Sequence, residues 1–134
     1  MWINLILKTI KIAIVGAGQF SQCFVPLFQA HPLVSEVSLC ESVPERLANA
    51  RVRLGVSRTF SAFEEVLNDP AIDAVANFTQ RWTHAPMAIR ALKAGKHVYS
   101  AVPAATTLEE LQSLSDYSQT NWADLYARWD QPVL

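Results

Sequence analysis

The apolar positions of this chain change period along its length, from strand-like to helix-like and back. Ile10-Lys11-Ile12-Ala13-Ile14-Val15 is a short β-branched run that stops at Gly16, the pattern of a strand buried within a parallel sheet. Residues 20–29 then follow at helical spacing, with Phe20, Cys23, Phe24, Leu27 and Phe28 on one face and Pro26 interrupting it. A second strand is expected over 37–40. Pro44 stands where a helix can start, and 46–54 continue that helix until Gly55 stops it.

A brief third strand over 57–60 leads into Ser61-Ala62-Phe63-Glu64, which reads as a capping box pairing Ser61 with Glu64. The helix it opens ends near Asn68-Asp69-Pro70. Residues 74–78 form a fourth strand, 83–94 a helix terminated by Gly95, and 97–100 a fifth strand. Thr107-Leu108-Glu109-Glu110 is a second capping box before a last helix. Five strands separated by four helices make repeated βαβ units, whose crossovers are right-handed. The expected fold is therefore α/β, a doubly wound parallel sheet of the Rossmann kind in a single domain. Its span is 9–120, with an N-terminal extension (1–8) and a tail of different character (121–134).

Composition narrows the function classes. The 134 residues are 51% hydrophobic and 17% charged, enough apolar material for one packed core. Eleven Lys and Arg against twelve Asp and Glu leave a net charge of -1, which excludes a general binder of nucleic acid. No stretch approaches the ~18 apolar residues of a membrane span. The apolar start, Met1 to Lys8, lacks the basic region and cleavage site of a signal peptide, so the expected location is cytoplasmic. Cys23 and Cys40 have no metal-type spacing with each other or with the three histidines; both read as small buried hydrophobes, and no metal site is expected.

The candidate chemistry begins at Gly16-Ala17-Gly18-Gln19-Phe20-Ser21, between the first strand and first helix. The first glycine permits the tight turn, and the second lets a pyrophosphate approach the backbone at the helix start. Ser21 replaces the small third residue of the dinucleotide fingerprint. Glu41 follows the second strand, where a carboxylate accepts hydrogen bonds from an adenosine ribose and repels the extra phosphate of NADP. NAD is thus the expected cofactor, with NADP as the alternative, because Ser42 and Arg46 could take a 2′-phosphate if Glu41 turned away.

Taken together, Lys11 to Ser21, Cys40-Glu41, Pro70 to Val75, Thr79 with His84, and the run Ala91-Leu92-Lys93-Ala94-Gly95-Lys96-His97-Val98 resemble the N-terminal half of the Gfo/Idh/MocA oxidoreductases. The resemblance covers about residues 9 to 116. It implies a nicotinamide dinucleotide and hydride transfer at a hydroxyl or carbonyl carbon of a sugar- or cyclitol-like substrate. It also implies that Gly16, Gly18, Gln19 and Phe20 line the pyrophosphate turn and that Glu41 meets the ribose. Phe78, Thr79, Gln80 and Trp82 would follow the fourth strand at the ligand-binding edge. His84 would open the next helix near the nicotinamide, and Pro103 would follow the fifth strand in a turn that allows a cis bond.

Two departures stand against that pattern. Where the family carries Glu-Lys-Pro, this chain has Ala101-Val102-Pro103, and an alkyl side chain at Val102 cannot act as acid, base or electrostatic clamp. The family's C-terminal α/β domain, which supplies a catalytic His or Asp, has no counterpart in these 134 residues, so no catalytic residue is assigned. In the tail, Trp122, Leu125, Tyr126 and Trp129 share one helical face. That stripe either packs on the domain's own sheet or offers a surface to a second copy or a complementing domain. The reading is an NAD(P)-binding domain of a Gfo/Idh/MocA-like oxidoreductase, a short or truncated form by that comparison; the alternative is a non-enzymatic nucleotide-binding or protein-interaction module.

Overall fold

The computed structural model describes residues 8–129, with side chains described through residue 119. Strands β1 (Ile10–Val15), β2 (Val34–Cys40), β3 (Thr59–Phe60), β4 (Ala74–Asn77) and β5 (His97–Ser100) form one parallel sheet in the order β3-β2-β1-β4-β5. Helices α1 (Gln19–Ala30), α2 (Pro44–Leu54), α3 (Phe63–Asn68) and α4 (His84–Lys93) connect them, and α5 (Leu108–Trp129) follows β5. This is the expected doubly wound arrangement. No helix among the described residues is long and apolar enough to cross a membrane.

Alternation along the strands supplies two cores. Ile12, Ile14, Leu39 and Ala76 pack with Val25 of α1 and Ala50 of α2 on one face. Ala13, Val15, Cys40 and Val75 pack with Val66 of α3 and Ala91 of α4 on the other. A strand buried on both faces has little room for polar positions, which is why β1 and β4 read as near-continuous apolar runs.

Register aligns the strand ends. Val15 pairs with Cys40 on one side and Asn77 on the other; Cys40 pairs with Phe60, and Asn77 with Ser100. The backbone ladder runs one residue further: the Gly16 amide donates to Cys40 O, Phe78 to Val15 O, Glu41 to Phe60 O and Ala101 to Asn77 O. Gly16, Glu41, Phe78 and Ala101 therefore leave the sheet at one level. The strand order reverses between β2 and β4 on either side of β1, and ligands of such sheets bind in the crevice that this reversal opens.

Several local expectations need correction. The apolar face expected on α1 is only half used: Ser21 and Val25 are its buried residues, whereas Phe20, Cys23 and Leu27 are exposed. The sheet meets α1 along Ser21, Val25 and Phe28, so the stripe at Phe20, Cys23 and Leu27 overhangs it. Cys23 is consequently not the buried hydrophobe expected. Cys40 is, and its thiol is pushed up to about 12 by burial and by the charges of Glu65 and Glu41.

The first capping box is only half formed and one residue later than expected, because α3 starts at Phe63 and its N-cap, Ala62, has no side-chain acceptor. Ser61 Oγ donates to Glu65 Oε1 at 2.7 Å and the Ala62 amide donates to the same oxygen at 2.9 Å, while Glu64 turns away to pair with Arg90. The second box is as expected, with the Glu110 amide donating to Thr107 Oγ1 at 3.1 Å and the Thr107 amide to Glu110 Oε2 at 3.3 Å. β2 begins three residues earlier than expected, at Val34, and β3 keeps only Thr59 and Phe60. Residues 1–7 of the expected N-terminal extension (1–8) and the side chains of Trp122, Leu125, Tyr126 and Trp129 lie outside the described residues.

Candidate functional site

A cavity of about 610 Å³ opens at the carboxyl ends of β1, β2 and β4. Of the residues the sequence singles out, Gly16, Gly18, Glu41, Ser42, Arg46, Phe78, Thr79 and Gln80 line it. Gln19 and Phe20 begin α1 beside it, both exposed.

The two glycines of the turn are needed for different reasons. Gly16 has φ +92°, and a Cβ there would lie 2.7 Å from the Phe78 carbonyl oxygen, so neither the backbone nor the space admits a side chain. Gly18 has φ -72° and serves as N-cap of α1; no atom lies within 4 Å of where its Cβ would stand. Its space is open toward the cavity, as close approach of a ligand to the backbone requires. No side chain caps α1 and no acidic residue occupies its first turn, which leaves the helix amides and dipole to an anion. Ser21 is compatible with this geometry: its side chain is buried and its hydroxyl donates to Gly18 O at 2.8 Å.

Glu41 is the one buried carboxylate on the described cavity wall, 7% exposed. Its Oε2 accepts from the Ala17 amide at 3.0 Å and its Oε1 from the Val43 amide at 3.0 Å, with Arg46 Nη1 3.5 Å from Oε2. Burial alone would raise its pKa. The amides of Val43 and Ala17, the Arg46 charge and the Ser42 amide outweigh that and hold it below the ordinary carboxylate value of 4.5. The carboxylate is therefore ionised at neutral pH. Oε2 already accepts from both the Ala17 amide and Arg46, so a further hydroxyl donor at that oxygen would compete with Arg46.

Across the cavity the wall is tied by hydrogen bonds. Asn77, fully buried, accepts from Thr79 Oγ1 at 2.7 Å and donates to His84 O at 3.2 Å. The ring nitrogens of His84 lie 2.9 Å from Thr79 O and 2.7 Å from Pro103 O. At 2% exposure this ring sits behind the wall and joins the β4 exit to the segment after β5. Trp82, 58% exposed, and Pro103 also lie outside the cavity lining. The Val102–Pro103 peptide is cis.

Sequence reasoning left out Ser61 and Phe63, just beyond β3, and Thr83 and Met87 at the start of α4; all four line the cavity. The first two could have been found by giving every strand exit equal weight, including the one after β3, where the capping-box reading gives them only a structural role.

The fit to a dinucleotide rests on three features: a glycine with open space at a helix start, an ionised carboxylate on the same wall, and a cavity where the strand order reverses. Comparison with known proteins agrees. A family model described as "Oxidoreductase family, NAD-binding Rossmann fold" matches residues 10–125. The chain is 34% identical over 122 residues to a glycosyl hydrolase family 109 protein of Porphyromonas gingivalis, covering 84% of this chain and 26% of that protein. It is 29% identical over 119 residues to the levoglucosan dehydrogenase of Pseudarthrobacter phenanthrenivorans, covering 82% of this chain and 30% of that protein. Among solved structures, scyllo-inositol dehydrogenase from Lactobacillus casei with bound NAD(H) and scyllo-inositol matches with TM-score 0.77 at 28% identity, over 87% of this chain and 34% of that one. The chain thus spans about a quarter to a third of the length of these proteins.

Proposed function

Because the chain belongs to the Gfo/Idh/MocA oxidoreductases and forms their NAD-binding Rossmann domain, we propose that it binds NAD in preference to NADP and serves hydride transfer on a polyhydroxylated, sugar- or cyclitol-like compound. The observation that carries the cofactor preference is the anchoring of Glu41. Two backbone amides hold its carboxylate in place, so it is not free to swing aside for a 2′-phosphate, and like charges would then meet in a half-buried site. Arg46, which also lines the cavity, is already engaged by the Glu41 carboxylate at 3.5 Å.

When bound, the nicotinamide supplies the hydride acceptor or donor. Gly18, Gln19 and Phe20 would present backbone amides to the pyrophosphate, and Glu41 would accept the ribose hydroxyls. Phe78, Thr79 and Gln80 would form the opposite wall, with His84 holding that wall from behind. Trp82 and Pro103 would flank the nicotinamide end.

The substrate class rests on the names of the relatives, among them the levoglucosan and scyllo-inositol dehydrogenases. Val102 favours a second reading: a nucleotide-binding module whose proton-transfer groups, if any, come from outside the described residues. The cofactor assignment is tested by titrating the 134-residue chain with NADH and NADPH, using energy transfer from protein to nicotinamide or calorimetry. NADH should bind at least about tenfold more tightly. Equal or inverted affinities would overturn the preference, and no binding of either by a folded chain would overturn the cofactor role. Incubation with candidate sugars and NAD then separates the activities: a dehydrogenase accumulates NADH, whereas glycoside cleavage releases its alcohol without net NADH.

A further inference from the structure

Ala17, between the two glycines, is held at both ends by side chains that no fingerprint assigns to this task. Its amide donates to Glu41 Oε2 at 3.0 Å, and its carbonyl accepts from Gln22 Nε2 at 3.0 Å. The residue is 1% exposed, so either group would be left buried and unpaired without its partner, at a substantial cost. Gln22 bears a cost of its own for this contact: its Oε1 is buried and accepts no hydrogen bond among the described residues.

Peptide geometry carries this anchoring through to the ligand. In a trans peptide the C=O and the following N–H point in opposite directions. Fixing the Ala17 carbonyl toward Gln22 therefore aims the Gly18 N–H the other way, and fixing the Ala17 N–H toward Glu41 sets the plane of the Gly16–Ala17 peptide before it. We infer that Glu41 and Gln22 are positioning residues for the phosphate-binding turn. On this view, which rests on the dinucleotide reading above, Glu41 raises affinity for the diphosphate through the backbone, in addition to any contact with the ribose.

The expected sign is unusual. A carboxylate near a diphosphate should weaken binding by repulsion, and a carboxylate that served only the ribose would be useless to a nucleotide lacking both ribose hydroxyls. Calorimetric titration of the wild-type chain, E41Q and Q22L with ADP and with 2′,3′-dideoxy-ADP separates the cases. Both substitutions should weaken dideoxy-ADP by about fivefold to tenfold, the loss expected for one misdirected donor. E41Q should weaken ADP further, and Q22L should weaken both nucleotides equally. Unchanged or tighter binding of dideoxy-ADP by E41Q, or unchanged binding of both nucleotides by Q22L, would overturn the inference. Thermal melts check that each variant is folded; if E41Q is not, Q22L, which lies outside the cavity lining, decides alone. Failure of the wild-type chain to bind ADP would instead overturn the dinucleotide reading itself.

Discussion

The two ends of the cavity edge are built differently. At the β1–β2 end, the turn is fixed by a glycine at φ +92°, a buried carboxylate on two amides, and side chains that hold the Ala17 peptide from both sides. At the β4–β5 end, the backbone is tied together through Asn77 and His84, and the exposed groups are of mixed character: Gln80 and Arg81 beside Trp82, with Val102 88% exposed. One end is fixed by a positive-φ glycine and an ionised carboxylate; the other mixes polar and apolar side chains and, at Val102, has no proton to give or take. Binding a cofactor and reacting with it are separable demands, and the geometry of the β1–β2 turn bears on the first.

The sharpest way to break the contrast is within the turn itself. G16A should destabilise the fold by about 3 kcal/mol, since it combines a positive φ with contact against the Phe78 carbonyl. Urea unfolding would show this as a lower midpoint at unchanged slope. A midpoint near that of the wild type would mean that the turn adapts. G18L should do the opposite: stability close to wild type, because its space is open, and NADH affinity lowered by at least about 100-fold. Parallel titrations and melts would separate ligand exclusion from unfolding.

Acid should loosen the β1–β2 end before the other. The Glu41 pKa is lower folded than its ordinary 4.5, so the stabilisation its carboxylate provides is fully present above about that value and is lost as pH falls through the lower, folded one. Unfolding free energy measured across this range should fall less steeply for E41Q than for the wild type; identical slopes would show that the anchoring does not contribute. The smallest effect is expected at the other end. V102A should leave stability within about 0.5 kcal/mol and NADH affinity within about twofold, as fits an exposed side chain outside the cavity lining. A large loss of NADH affinity would make Val102 part of the recognition surface.

Reading the chain in order located most of this architecture, and the reasons are local. Strand runs of β-branched residues, glycines at helix ends such as Gly55 at φ +64°, and Thr107 with Glu110 act within a few residues of themselves. The turn and Glu41 were visible because each lies directly beyond a strand, and parallel strands in this order deliver their exits to one edge. The misplacements are equally informative. Ser61 pairs with Glu65 instead of Glu64 because the helix begins one residue later, a difference below the resolution of sequence patterns. The buried face of α1 departs from its apolar stripe because hydrophobicity alone does not say which side of a helix the sheet will meet.

By itself, the sequence determined the order and period of the elements, the parallel sheet they make and the glycine-and-carboxylate signature at its edge, since these depend on short-range sterics and burial. Only the tertiary structure decided that Glu41 holds the Ala17 amide 24 positions earlier in the chain, that Gln22 holds the same residue from its other end, and that His84 spans two loops as a buried tie. Such contacts join residues distant in sequence through the register of the strands between them. That register emerges when both faces of the sheet pack at once, which no local pattern encodes.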